Sequence, residues 1–219
     1  MPVPRTEIVR TAVQLDDLLD GTMPDGYGAF VQGLERASLR IGLPCFLRTG
    51  QTSGKHQWAD TCFLTDLAAL PRHIAALVEF SALADFMGLP CDVWCAREFL
   101  TLDVAYTLPG YCGMPLAREF RFFVRDGKVV CAHTYWPLGA VEEGRPSDPQ
   151  WREKWEAFAC GPDEDARRLA GDVARVFAAD GGLSVDVCRT ADGRWLVTDM
   201  AVAAMSFHWP ECPHAEGLA

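Results

Sequence analysis

No apolar run in this chain approaches the roughly 20 residues that a membrane-spanning helix needs, so no membrane partner is expected. The opening Met1-Pro-Val-Pro-Arg5 lacks the apolar stretch of a secretory leader, and a cytoplasmic protein is expected. Positive charge is scarce: 20 Lys and Arg stand against 30 Asp and Glu, a net charge of −10. Non-specific nucleic-acid binding depends on a basic footprint, so no nucleic-acid partner is expected either. There is no Cys-x-x-Cys pair, no internal repeat and no low-complexity segment. A Walker A loop is also missing, because Gly50-x3-Gly54-Lys55 is followed by His56. No Ser-His-Asp or Cys-His arrangement stands out as a nucleophilic centre.

What the chain does have is 219 residues that are 49% hydrophobic. That suffices for a sizeable core in one large domain or two small lobes. Nine cysteines, an odd number, accompany no secretory leader, which predicts reduced and mostly buried thiols. Cys45, Cys95, Cys131 and Cys188 fall inside apolar strand runs and read as core filler. The tail spacing His208-x3-Cys212-x-His214 suits metal ligands, but no fourth ligand is evident, and a polar tail is the other reading.

Periodicity and turn residues predict an α+β order. Residues 16–29 read as a loop, and Phe30, Leu34 and Ala37 as one face of a short helix. Residues 43–48 read as a strand opening into the hydroxyl- and glycine-rich loop 49–55. Residues 70–87 have helical spacing and stop at Gly88-Leu-Pro90. A buried strand follows over 91–100, then a long loop over 101–116. Two hairpins flank Asp126-Gly127 and Asp192-Gly193, the strongest short-range hairpin signal. Between them, Trp151 and Trp155 mark one helix, and Pro162-Asp163 opens another through Ala166, Leu169, Val173 and Val176.

If Asp192 and Gly193 form a two-residue loop, 189 faces 196, 187 faces 198 and Asp186 faces Asp199. Like charges on paired positions destabilise a sheet. A divalent cation between them would remove the conflict; so would a slipped register or a solvated edge. In the first hairpin, Glu119, Arg121 and Phe123 alternate with Phe120, Phe122 and Val124. That reads either as a surface ion pair or as an arginine aimed at phosphate. The 49–55 loop can likewise turn backbone N–H groups toward phosphate beside Lys55.

Taken in order, Phe46-Leu-Arg-Thr-Gly-Gln-Thr-Ser-Gly-Lys55, Arg97-Glu-Phe-Leu100, Arg118-Glu-Phe-Arg-Phe-Phe-Val124, Ser184-Val-Asp186 and Thr198-Asp-Met-Ala201 resemble the ATP-grasp superfamily. More narrowly they resemble a bacterial and phage branch named for two arginines and a lysine, related to the eukaryotic cell-division-cycle protein 123. The tail Ser206-Phe-His-Trp-Pro210 fits that branch as well. The resemblance implies two α+β lobes with antiparallel sheets clamping ATP: an extension over 1–40, an N-terminal lobe over 41–92 and a C-terminal lobe over 93–219. It implies nucleotide contacts from Arg48, Gly50, Ser53, Gly54, Lys55, Arg97, Glu98, Phe99, Leu100, Asp103, Glu119 and Arg121. Arg121, Lys55 and Arg48 would act in catalysis, with Mg²⁺ on Asp186 and Asp199. The activity it implies joins a carboxylate of a small molecule or peptide to an amine through an acyl phosphate. One position departs from the superfamily pattern: many members carry Asn two residues after the second acid, where this chain has Ala201. Water or Ser206 would have to replace that ligand. The departure leaves room for an ATP-binding assembly or partner protein with little turnover, and the cysteines for a metal or redox module.

Overall fold

The computed structural model describes residues 1–84 and 86–215. The chain divides into two compact units, Arg5–Phe99 with Tyr111–Met114, and Met1–Pro4 with Leu100–Gly110 and the residues from Pro115 onward.

The first unit holds strand β1 (Thr6–Arg10), helix α1 (Tyr27–Ile41), β2 (Cys45–Thr49), β3 (Phe63–Leu64), α2 (Leu70–Leu83) and β4 (Val93–Glu98). Its antiparallel sheet runs β1-β4-β2-β3. Phe30, Leu34, Ala37 and Ile41 recur at helical spacing, so α1 buries one stripe. With Leu70, Ile74 and Leu77 of α2 they pack on Cys45, Leu47, Trp94 and Ala96 of the sheet. Strand alternation therefore turns Arg48 and Arg97 to the opposite face, where Arg48 pairs with Cys95 and Arg97 with Phe46.

The 1–40 extension expected from the sequence is not separate. β1 pairs with β4 from Thr6↔Arg97 to Arg10↔Val93, and α1 contributes Phe30, Leu34, Ala37 and Ile41 to the core, so these residues belong to the first unit. β4, expected in the second lobe, is an inner strand of the first. The edge strand β1 is poorly legible because its Ile8 points outward and is exposed.

The second unit holds β5 (Val104–Leu108), all but the first residue of β6 (Met114–Ala117), β7 (Glu119–Arg125), β8 (Lys128–Thr134), α3 (Leu138–Glu143), α4 (Trp151–Ala159), α5 (Glu164–Val176), β9 (Leu183–Arg189) and β10 (Trp195–Val202). β5 and β6 form a two-stranded sheet where the sequence suggested only loop. The main antiparallel sheet runs β10-β9-β7-β8. One of its faces, including Phe120, Phe122, Val185 and Val187, packs on Ala166, Leu169, Ala170 and Val173 of α5. Asp163 caps that helix, its carboxylate accepting the Ala166 N–H at 2.9 Å. No helix among the described residues is long and apolar enough to cross a membrane.

The two hairpins turn differently. Arg125 pairs with Lys128, and Asp126 and Gly127 both have positive φ (49° and 74°), the two-residue loop expected. In the second, Thr190 N–H bonds the Arg194 carbonyl at 2.8 Å and Gly193 sits at φ 87°, which makes a three-residue loop of Ala191, Asp192 and Gly193. Near the tip the pairs are therefore 189↔195 and 187↔197, one residue off the expectation. A β-bulge between Val197 and Asp199 takes up the offset, and Asp186↔Asp199 is restored.

Candidate functional site

On the face of the second unit's sheet away from α5, one row crosses all four strands. His133 pairs with Arg121, Arg121 with Asp186, and Asp186 with Asp199. Partners across a sheet present their side chains on one face. The crowding of the two acids is relieved by a cation already in the chain. Arg121 donates Nε–H to Asp186 Oδ1 and Nη2–H to Oδ2, both at 2.8 Å. The pair is desolvated, its side chains 15% and 7% exposed. Burial works against the Arg121 charge, but the Asp186 hydrogen bonds and charge outweigh it and raise its pKa, with Tyr135 and Glu119 adding to the effect. The guanidinium also lies 4.8 Å from the Tyr135 ring centroid and donates to the Phe207 carbonyl at 3.4 Å. In this structure, then, Arg121 is held on Asp186.

Asp199 accepts the Met200 N–H through Oδ1 at 3.1 Å. Ser184, paired with Ala201, shares a 2.6 Å hydrogen bond with Ser206. Ser206 is thus tied to the strand position opposite Ala201. Two carboxylates on paired positions of one face are a donor set suited to Mg²⁺ completed by phosphate oxygens and water. Both Asp186 oxygens accept from Arg121, which leaves each oxygen one further lone pair for a cation.

The first unit places Arg48 and Lys55 around one thiol. Burial pushes Cys62 up to about 12, against a Thr61 hydrogen bond and the charges of Lys55 and Arg48. Arg48 is 7% exposed and donates Nε–H to the Thr49 carbonyl. The 49–55 loop spends several amides on itself. Gly50 N–H goes to the Val93 carbonyl, and those of Gln51 and Thr52 go to Thr49 Oγ1. Gly54 sits at φ 58°, where a Cβ would stand 3.0 Å from Thr61 Cγ2, so a glycine is favoured there.

The linker residues are distributed over the two units. Phe99 ends the first and packs at a tilt against Phe63 and Trp58, with ring centroids at 4.8 and 6.0 Å; Leu100 begins the second and is half-buried. Glu98 accepts from the Arg5 backbone N–H at 3.1 Å and is bound within the first unit. Asp103 accepts from Arg189 at 3.2 Å and lies 4.0 Å from Arg118, within the second. A cavity of about 520 Å³ between the 11–16 and 86–92 segments is lined by none of these residues.

A second cluster was only half visible in the sequence. Ligand atoms of Cys131, His133, His208 and Cys212 all lie within 4.8 Å of one another. Cys131, read as core filler, is half-buried and faces this cluster rather than the α5 core. His214, the third residue of the expected tail motif, is not in it. Burial lowers the pKa of His133, helped by His208, and that of His208, helped by His214. Burial and the Cys212 thiol push Cys131 up to about 12.

The antiparallel sheets, the paired acids and the cationic loop define an ATP-grasp module. Residues 38–208 match the model of an ATP-grasp domain, family 3 of the clade named for two arginines and a lysine, and the chain belongs to that family. Cdc123 from Schizosaccharomyces pombe is similar in structure: TM-score 0.58, 14% identity, covering 100% of this chain and 86% of that one. A C-terminally truncated Cdc123 of the same organism gives 0.53 at 14%, covering 90% and 77%. A RimK domain ATP-grasp protein from Sphaerobacter thermophilus gives 0.45 at 15%, covering 91% and 52%. No curated protein sequence matches.

Proposed function

We propose that this protein is an ATP- and Mg²⁺-dependent ligase joining a carboxylate to an amine. The observation that carries the reading is the Arg121–Asp186–Asp199 row on one face of an ATP-grasp sheet. Asp186 and Asp199 would hold Mg²⁺, which would supply charge neutralisation on the transferring phosphates. Arg121 moves from Asp186 to a phosphate oxygen when the nucleotide binds. Arg48 and Lys55, with the amides of Ser53 and Gly54, supply further phosphate contacts. Backbone groups of Arg97–Leu100 meet the base, with Glu98 or Asp103 near the base or ribose. A substrate carboxylate oxygen attacks the γ-phosphorus and ADP leaves. The amine nitrogen then attacks the acyl carbon, loses a proton and expels phosphate. The protein contributes positioning and charge neutralisation.

Thermal stability with and without ATP and Mg²⁺ tests the binding half, because a ligand of the folded state must raise apparent stability. Wild type should shift upward at millimolar ATP, and Asp186→Asn should lose the Mg²⁺-dependent part. No shift in wild type overturns the proposal. Phosphate release across a panel of acids and amines tests the chemistry.

A second reading treats the nucleotide as a structural ligand of an assembly or partner protein. Ala201, exposed on β10 where many ATP-grasp enzymes have Asn, favours it. ATP binding without turnover, with a stoichiometric co-purifying protein, would select it.

A further inference from the structure

At the β8 end of that row, two short spacings converge. Cys131-x-His133 lies on β8, and His208-x3-Cys212 lies beyond β10. Cys131 and His208 are 77 positions apart in sequence, yet Cys131 Sγ lies 3.3 Å from His208 Nε2. Two thiolates and two imidazoles around Zn²⁺ form a tetrahedron, with metal–sulfur and metal–nitrogen bonds of about 2.3 and 2.0 Å. Its sulfur–nitrogen edges are then about 3.5 Å long, near the separation seen. The full set of four ligand atoms lies within 4.8 Å, so a small inward adjustment closes the site.

A second observation points the same way. Nε2 of His133 is buried without a hydrogen-bond partner, and such a nitrogen is costly unless something fills the space beside it. The imidazoles are also braced for coordination. The Phe123 ring stacks on His208 at 3.9 Å and the Trp209 ring on His133 at 4.7 Å, with the two histidine rings 5.2 Å apart and steeply inclined. Aromatic walls on both imidazoles fix ring orientation, as a ligand shell must.

We infer that Cys131, His133, His208 and Cys212 bind one structural Zn²⁺ that staples the C-terminal segment to β8. Each thiol gives up its proton to solvent, and the two thiolates balance the charge of the ion. Two sulfurs with two imidazole nitrogens in a closed shell select zinc over oxygen-loving Mg²⁺. The site is distinct from the acid pair, since it takes none of its ligands from Asp186 or Asp199. Segment 203–212 includes Phe207, whose carbonyl receives Arg121, so the staple also positions that carbonyl.

The test is metal analysis of the full chain purified under reducing conditions without chelator. About one zinc per chain is expected in wild type and in Asp186→Asn. Cys131→Ser and Cys212→Ser should each lose most of it. Cobalt added to the metal-free reduced protein should give the intense absorption of tetrahedral cobalt–thiolate in wild type and not in either serine variant. The cobalt spectrum of wild type reads thiolate ligation directly, even where a serine variant folds poorly. Absence of zinc together with absence of the cobalt spectrum in wild type overturns the inference. So does zinc retained in both serine variants, or a Cys131–Cys212 disulfide that persists in reductant.

Discussion

Arg121 is the residue on which the row depends. It satisfies both oxygens of a carboxylate that is 7% exposed, and its removal strands that charge. Arg121→Ala should therefore destabilise the fold by about 3 kcal/mol, the lower end for one partner of a buried pair. Urea denaturation measures it, and Arg121→Ala with Asp186→Asn should recover much of the loss. His73 offers a residue-scale test by pH. It is 2% exposed on α2, and Nδ1 lies 2.8 Å from the Thr61 carbonyl, so that nitrogen carries the proton of a neutral ring. Burial lowers its pKa in the fold, so below about pH 6.5 the unfolded chain takes up a proton that the folded one resists. Its contribution to stability is present above that pH and lost as pH falls. The urea midpoint of wild type should drop more steeply from pH 7 to 5 than that of His73→Gln.

Among the elements, α5 is the best specified, since its cap and apolar stripe agree. Asp163→Ala removes the N-cap at Ala166 and also the acceptor of Trp195 Nε1–H at 3.1 Å. The expected cost is about 1 to 2 kcal/mol, read from chemical denaturation. Elements with one consistent local signal were legible in this way. Asp126-Gly127 gave its hairpin correctly because both residues tolerate positive φ. The same dipeptide at 192–193 misled by one residue, because Thr190 and Arg194 pair outside it and close a longer loop. The acids still ended up opposite each other only because a bulge intervenes, which no local pattern announces. β5 and β6 were hidden by Pro109, Gly110, Gly113 and Pro115 around them. At the candidate site the acids and Arg121 could be read from strand alternation. The Arg121–Asp186 contact could not, because it joins strands distant in sequence, and the Cys131–Cys212 cluster was split for the same reason.

At the scale of the molecule, each unit has its own core, so damage should stay local. Leu77→Ala, in a fully buried position of α2, should speed amide hydrogen exchange in β2 and β4 more than in β7 and β9. Leu169→Ala in α5 should do the reverse, each costing about 2 to 5 kcal/mol. The units are nevertheless not beads on one string. The chain changes unit after Pro4, Phe99, Gly110 and Met114, and the Pro2 carbonyl accepts the Val197 N–H of β10. No single scission therefore yields two whole halves. A fragment cut at the 99–100 boundary would lack the Tyr111–Met114 return on one side and the β10 partner at Pro2 on the other.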